Sequence, residues 1–371
     1  MLSLGIDGYR EWEVINQLHF KNGSRESYIS VDLLNKHDVK IGELDAIKGS
    51  GYVQFDSNAQ IQRVGNVTVP EAQFRDVDWL NDRIRPMFNL KMNDGGYARW
   101  SLGIFLISSP TREYDGNLVI RKLEMYDKNL ILKEDKITDR IYYANGKKYT
   151  ELIKDMIQGA GIPNVEVEDS PLILPIAREF ELGTSKLEII NTLLAEINYN
   201  PIWVDNTGTY RVEKYVEPSK REVEYSYYCN DTSVITPDMV EEIDIFNAPN
   251  VWHIVYSNPE ELPKMTTYEN NSLSSITSIP NRGRRIVKTG TIENIPNQQT
   301  LESVTKRMAY NDSQIYSKFT FHTAIMPHHT NNNMLFVDVP NIDVSSRYFE
   351  DSWRINFGGT MEHNVKKIVY I

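Results

Sequence analysis

Gly183–Tyr215 reads GTSKLEIINTLLAEINYNPIWVDNTGTYRVEKY, and it divides into a capped helix, a short connection and a β-hairpin. Ser185 and Glu188 have the S-x-x-E spacing of a capping box. In that motif the hydroxyl accepts from a first-turn amide while the carboxylate reaches back to the cap's own N–H. Leu187, Ile190, Leu193, Leu194 and Ile197 recur at three and four residues and make one apolar face. Pro201 stops helical continuation. Ile202–Asp205 and Tyr210–Glu213 then alternate around Asn206, Thr207 and Gly208, which supply turn chemistry. The unit carries packing and turn residues and no catalytic pattern. Its helix face is expected to be buried, its hairpin to pair with neighbouring strands, and none of its residues to bind a ligand.

The rest of the chain agrees with a folded, strand-rich protein. At 371 residues it is too long for one ordinary core, so two to four domains are expected. Its 21 tyrosines and frequent Val/Ile/Thr runs favour strands. A single cysteine, Cys229, leaves no internal disulfide and suits a reducing compartment. No apolar run approaches the ~20 residues that span a bilayer, so no membrane anchor is expected. The start, MLSLGIDGYREWEV, lacks a basic stretch followed by an apolar one, so no secretory signal is expected either. The net charge of −11 disfavours tight nucleic-acid binding, which needs clustered Lys and Arg. An acidic wall can still face DNA that must slide past it.

Along the chain, residues 1–30 are mixed and polar and read as an N-terminal arm or irregular first strand. From Tyr28 to about Tyr126, short strands alternate with turn residues. Asn93-Asp94-Gly95-Gly96 and Asp115-Gly116 are hairpin turns, since Asp-Gly accommodates positive φ. Such spacing suggests a barrel or sandwich. Asn145-Gly146 marks another turn. Tyr149–Gln158 is a helix with Leu152, Ile153, Met156 and Ile157 on one side, stopped by Gly159, Gly161 and Pro163. After Val216 strands return. Thr300–Tyr310 is a third helix, and four strand-like segments follow from Ser317 to Ile371.

The sequence holds no Walker A loop, no G-x-G-x-x-G after a strand, no H-E-x-x-H and no G-x-S-x-G. His328 and His329 are adjacent, with His322 nearby. Neighbouring strand side chains point to opposite faces, so a polar loop is the commoner reading than a metal site. Cys229 and His253 could form a nucleophilic pair only if the fold joins them; a lone buried cysteine is commoner. Glu241, Glu242 and Asp244 cluster, as do Glu166, Glu168 and Asp169. A glycosidase needs two carboxylates, but acidic runs are usually solvated faces. The loop Asp205–Gly208 lacks the ligand spacing of an EF-hand. Arg282, Arg284, Arg285 and Lys288 could meet phosphate; on an acidic protein an intersubunit salt-bridge patch is the commoner use. No cofactor and no metal is expected.

The Gly183–Tyr215 unit resembles the helix-plus-hairpin of bacteriophage baseplate-hub and tail-tip proteins, including the N-terminal region of tail-associated lysin-like proteins. Three further stretches are similar to that family in the same order: ARWSLGIFLISSPTREYDG (Ala98–Gly116), FNAPNVWHIVYSNP (Phe246–Pro259) with SITSIPNRGRRIV (Ser275–Val287), and MPHHTNNNMLFVDVP with GGTMEHNVKKIVYI. Together they cover roughly residues 30–371.

The resemblance implies an α+β, β-rich fold: two β-barrel domains plus a small α/β domain with two helices. The corresponding division is an N-terminal arm (1–30), a first barrel (31–128), an α/β domain (129–218) and a second barrel with one helix near 300–310 (219–371). It implies a homotrimeric structural virion protein at the tail tip, assembled in the bacterial cytoplasm. This hub adapts the hexameric tail tube, or a distal tail protein, to the tail tip. Its other partners are the tape-measure protein and the receptor-binding or baseplate proteins, with DNA only passing through the channel. A lytic activity is not expected. Arg282, Arg284 and Arg285, with the N-terminal arm, are the candidate subunit contacts, because they are charged and lie outside the apolar patterns. Two competing readings are a cell-wall hydrolase of the tail tip and a carbohydrate- or receptor-binding module. The second would use exposed aromatics, yet Trp100, Trp203 and Trp252 sit in strand patterns that suggest burial.

Overall fold

A computed structural model describes the chain apart from Asn22, residues 72–76, Asp115, residues 244–245, Asn247, residues 259–261 and 315–316, and the side chains of Ser109, Ile243 and Ser317. Asp115 of the expected Asp-Gly turn, Asp244 of the acidic cluster, and Asn247 and Pro259 of the Phe246–Pro259 stretch therefore lie outside the described residues.

The N-terminal region holds α1 (Glu11–Leu18), β1 (Ser27–Leu34), β2 (Lys40–Leu44), β3 (Gly51–Asp56), β4 (Arg63–Pro70), β5 (Arg83–Lys91), β6 (Tyr97–Ser101), β7 (Phe105–Tyr114) and β8 (Val119–Asp127). A mixed middle follows with α2 (Asn129–Glu134), β9 (Tyr142–Tyr143), α3 (Tyr149–Gln158), β10 (Val165–Val167), β11 (Arg178–Glu179), α4 (Lys186–Glu196), β12 (Trp203–Val204) and β13 (Tyr210–Val212). The remainder comprises β14 (Tyr225–Tyr228), β15 (Ile235–Ile243), β16 (Val251–Tyr256), β17 (Lys264–Glu269), α5 (Ile279–Arg282), β18 (Val287–Ile292), α6 (Gln298–Gln314), β19 (Ser317–Ala324), β20 (Met334–Val339), β21 (Val344–Asn356) and β22 (Thr360–Lys367).

Strands from both ends of the chain belong to one 14-stranded sheet, in the order β15-β19-β22-β21-β3-β4-β8-β7-β5-β1-β2, with β20 and β14 branching from β21 and β6 from β5. The strands assigned from the sequence to two barrels meet in this one path, and no closed barrel is found among the described residues. The cause is β21, which has 13 residues and therefore room for several partners. Its first half pairs β20 (Val344–Phe349), its last residues pair β3 (Ser352–Asn356), and β22 lines its other side. At the β21–β3 join Trp353 stacks on Phe55, ring centroids 5.9 Å apart. Alternation within a strand reports which face is buried, not which strand lies beside it.

A bulge interrupts β21. Glu350 faces Val365 and Ser352 faces Asn364, so Asp351 is the extra residue. It resets the alternation. Tyr348 and Glu350 point inward before it, Trp353 and Ile355 after it. Asp351 is held from outside by Ser57 Oγ at 2.9 Å, Asn58 Nδ2 at 3.0 Å and Lys366 Nζ at 2.9 Å.

The middle unit has its own core, from Leu132 to Val212. In α4 the Ser185 hydroxyl accepts from the Glu188 N–H at 3.2 Å, the first half of the expected box. Leu187, Ile190, Leu193, Leu194 and Ile197 are all buried, as is Ile189, so the apolar face is wider than the stripe. Each such side chain contributes about 1.5–3 kcal/mol of transfer free energy. β12 and β13 form the hairpin, and β10 joins β13 in parallel to make a three-stranded sheet.

The hairpin tip docks on the large sheet. Ser101 Oγ donates to Asn206 O at 2.7 Å, and Asn206 Nδ2 returns to Ser101 O at 2.6 Å. Lys128 Nζ donates to Gly208 O at 2.8 Å and pairs Asp38 at 2.8 Å. Gly208 has φ +82°, a conformation that favours glycine, and a Cβ there would sit 3.0 Å from Ile104 Cδ1, so a side chain would also have to displace that methyl. A third, smaller core joins Ile254 and Tyr256 of β16 to Leu301 of α6. Arg307 of α6 donates to Tyr199 O at 2.7 Å and lies 4.2 Å from the centre of the Tyr215 ring, which fastens α6 to the middle unit.

Residues 11–18 form a helix that the mixed N-terminal composition hid. Glu13 accepts from the Arg10 N–H at 2.8 Å, and Val14, Gln17 and Leu18 are buried. No helix among the described residues is long and apolar enough to cross a membrane.

Candidate functional site

The segment carrying the three candidate arginines is a short turn. Ser278 caps α5, Pro280 sits in its first turn, and Gly283 at φ 65° ends it. Arg282 spends its donors on its own chain, at 2.8 Å to Ala248 O and 2.6 Å to Phe246 O. Arg284 lies 5.7 Å from the centre of the Phe246 ring, and Arg285 pairs Glu269 at 2.7 Å. Lys288 pairs Asp312 at 2.8 Å. Arg284 and Arg285 remain exposed, so the turn still presents positive charge to solvent.

The other sequence candidates disperse. Glu166 pairs Arg211, Glu168 pairs Lys214 at 2.9 Å and Asp169 pairs Lys148 at 2.6 Å. Asp205 anchors its own turn, accepting from the Thr207 and Thr209 N–H groups at 2.9 and 3.0 Å and from Arg211 at 2.7 Å. Cys229 follows β14 in the large sheet, whereas His253 bonds Thr267 at 2.8 Å in the β17-β16-β18 sheet. Trp100 and Trp252 are fully buried, and half-buried Trp203 donates to Glu213 at 3.1 Å. His322 points outward, 3.5 Å from Glu362.

Sequence reading missed the most concentrated chemistry. His328 and His329 are buried rather than set in a solvated loop. They occupy the 325–333 connection between β19 and β20. His329 Nδ1 lies 2.6 Å from Glu350 Oε2, and His363 Nδ1 lies 2.7 Å from Glu350 Oε1. His329 Nε2 meets Tyr227 Oη at 2.6 Å, and His363 Nε2 meets Thr323 Oγ1 at 2.9 Å. Glu350, His363 and Thr323 are 0 % exposed. Their strand phase was the available signal: each sits in register with inward apolar residues, as in Met361-x-His363-x-Val365.

Burial sets the electrostatics. It pushes the Glu350 carboxyl up, against the pull of His363. It lowers His363 to about 4 and His329 to about 3, and holds His328 well below the usual imidazole range. His329, Glu350 and His363 are the described residues whose donor atoms, all within 4.8 Å of one another, could hold a metal ion. Metal–nitrogen bonds of ~2.0–2.1 Å in a tetrahedral site put ligands ~3.3 Å apart. The observed 2.6 and 2.7 Å are instead hydrogen-bond separations.

No family model matches the sequence, and no curated protein matches it. Solved structures do. A tail protein from Neisseria meningitidis MC58 superimposes with a TM-score of 0.64 at 12% identity, covering 92% of this chain and 97% of its own. The 43 kDa tail protein of prophage MuSo2 from Shewanella oneidensis gives 0.63 at 11% identity, covering 92% and 98%. Prophage tail protein gp18 from Listeria monocytogenes EGD-e gives 0.55 at 10% identity, covering 91% and 94%. The β-rich chain, with its divided seam strand and docked hairpin unit, therefore has the fold of phage tail proteins.

Proposed function

We propose that this protein is a structural component of a phage-like tail, a trimeric hub that adapts a hexameric tail tube to the tail tip. The observation that carries the reading is the end-to-end fold match to tail proteins, over more than nine-tenths of both chains in each comparison. The division into arm, barrel, α/β and barrel domains at 30, 128 and 218 belongs to the same proposal, as do the tape-measure and receptor-binding partners. The reading is non-enzymatic, and the ion pairs that occupy Glu166, Glu168 and Asp169 support it.

The open sheet suggests how copies join. Its path ends at β15 and β2, strands that have one sheet partner each among the described residues. Val240 on β15 and Ile41 on β2 are exposed by 57% and 52%. Edges of this kind add strands from another chain. Arg284 and Arg285 would then meet acidic residues of the next copy. With a net charge of −11, the channel wall would repel rather than grip passing DNA.

Mixing the purified chain with tail-tube protein and measuring mass by light scattering tests the hub. A trimer seated on a tube hexamer is the expected product. A chain that stays monomeric and ignores the tube, or one that clears cell wall through a named carboxylate, overturns the reading. A strongly basic lumen in the assembled ring would reject the account of DNA passage.

A further inference from the structure

Proton bookkeeping in the buried cluster has one neutral, fully bonded solution. Thr323 Oγ1 has a single proton and lies 2.7 Å from Ala324 O, which can only accept. Its contact with His363 must then be donated by His363 Nε2–H, at 2.9 Å. A neutral His363 so arranged turns the Nδ1 lone pair toward Glu350 Oε1, 2.7 Å away. Two lone pairs cannot face each other at that distance without a proton between them. On the other side, Tyr227 O–H donates to His329 Nε2, and His329 Nδ1–H donates to Glu350 Oε2, at 2.6 Å each.

We infer that Glu350 is a protonated carboxylic acid in the native protein, and that its proton completes a one-way hydrogen-bond chain fastening the 325–333 loop to the large sheet. The chain runs Tyr227 to His329 to Glu350 to His363 to Thr323 to Ala324 O, in five bonds with a donor and an acceptor at each. An ionised Glu350 would instead leave a buried negative charge whose ion-pair partners among the described residues are neutral histidines. The same loop is held by Trp353 Nε1 on Thr330 O at 2.7 Å and by the Glu350 N–H on Asn333 O at 2.9 Å. This proton site is independent of the tail role.

The charged and titratable groups facing the cluster come from every neighbouring element. They are Tyr225 and Tyr227 of β14, Glu224 before it, His328 of the loop, His19 just past the end of α1, Arg25 ahead of β1 and the Met1 amine. Burial raises the folded-state carboxyl above its unfolded value. The stabilisation is thus complete below the ordinary carboxyl range and is lost as pH rises through the folded value.

Glu350→Gln is the decisive variant, because its amide keeps an acceptor toward His329 Nδ1 and a donor toward His363 Nδ1. It should melt at or above the parent's temperature at neutral pH, because an amide loses no stability as pH rises past the ordinary carboxyl range, and it should lack the part of the parent's pH-dependent decline that Glu350 causes. Glu350→Ala should melt roughly 5–10 °C lower. On the parent protein, nitrogen NMR of labelled histidines should find opposite tautomers, Nδ1–H on His329 and Nε2–H on His363. Glu350→Gln melting as low as Glu350→Ala, an Nδ1–H tautomer on both rings, an imidazolium at His363, or one tightly bound metal ion per purified chain would each overturn the inference.

Discussion

Asn206 shows at the scale of one residue how two parts of the chain are held together. Its side chain and carbonyl meet the carbonyl and hydroxyl of Ser101 in a reciprocal pair. Asn206→Ala leaves Ser101 O short of a partner at a half-buried junction and should cost about 1–3 kcal/mol, read from the urea midpoint. The buried histidines give a second residue-scale prediction. Their folded pKa values lie below the ordinary one, about 4 for His363 and about 3 for His329. A group depressed in this way stabilises fully above its unfolded value and loses that contribution as pH falls through its folded value. Urea midpoints should therefore drop steeply from about pH 6.5 to about pH 4, and His363→Gln should flatten part of the slope. None of this pairing was legible beforehand. Glu350 and His363 could be seen as polar residues in inward strand phase, but sequence does not say that two strands and a loop bring them within 3 Å.

Elements were legible where local chemistry is complete. Tyr149–Gln158 and Lys186–Glu196 carry helical spacing and glycine or turn residues after the end, the second also a capping serine at its start, and both fold as read. Ser185→Ala should cost about 1 kcal/mol, measured by thermal or urea denaturation, since it removes the acceptor for the Glu188 N–H. The helix at Glu11–Leu18 was not legible. It has eight residues, and its capping comes from Arg10 and Glu13 rather than a Ser or Asp signal. Its stability rests on tertiary burial of Val14 and Leu18, which periodicity over so short a span does not reveal.

For the whole molecule, the strand-rich character of both flanking regions and the last four strands, β19 to β22, were readable, while their joining into one sheet was not. Turn residues report where strands end; the partner across a ladder is chosen by packing of the complete chain. Val240→Lys on β15 should leave the melting temperature within about 2 °C, because the side chain is already exposed. If copies join through that edge, it should also abolish the tube-bound trimer seen by light scattering. Asp351 reaches further than any of these sites. The extra residue works like a frame correction. Faces on one side of it are counted from Tyr348 and Glu350, and on the other from Trp353 and Ile355. Deleting it cannot be absorbed locally: whichever half keeps its ladder, the other turns its core side chains to water. Asp351→Ala should therefore yield soluble protein and the Asp351 deletion should not, so the two ends of the gene are bound to a single count of residues kept in one strand.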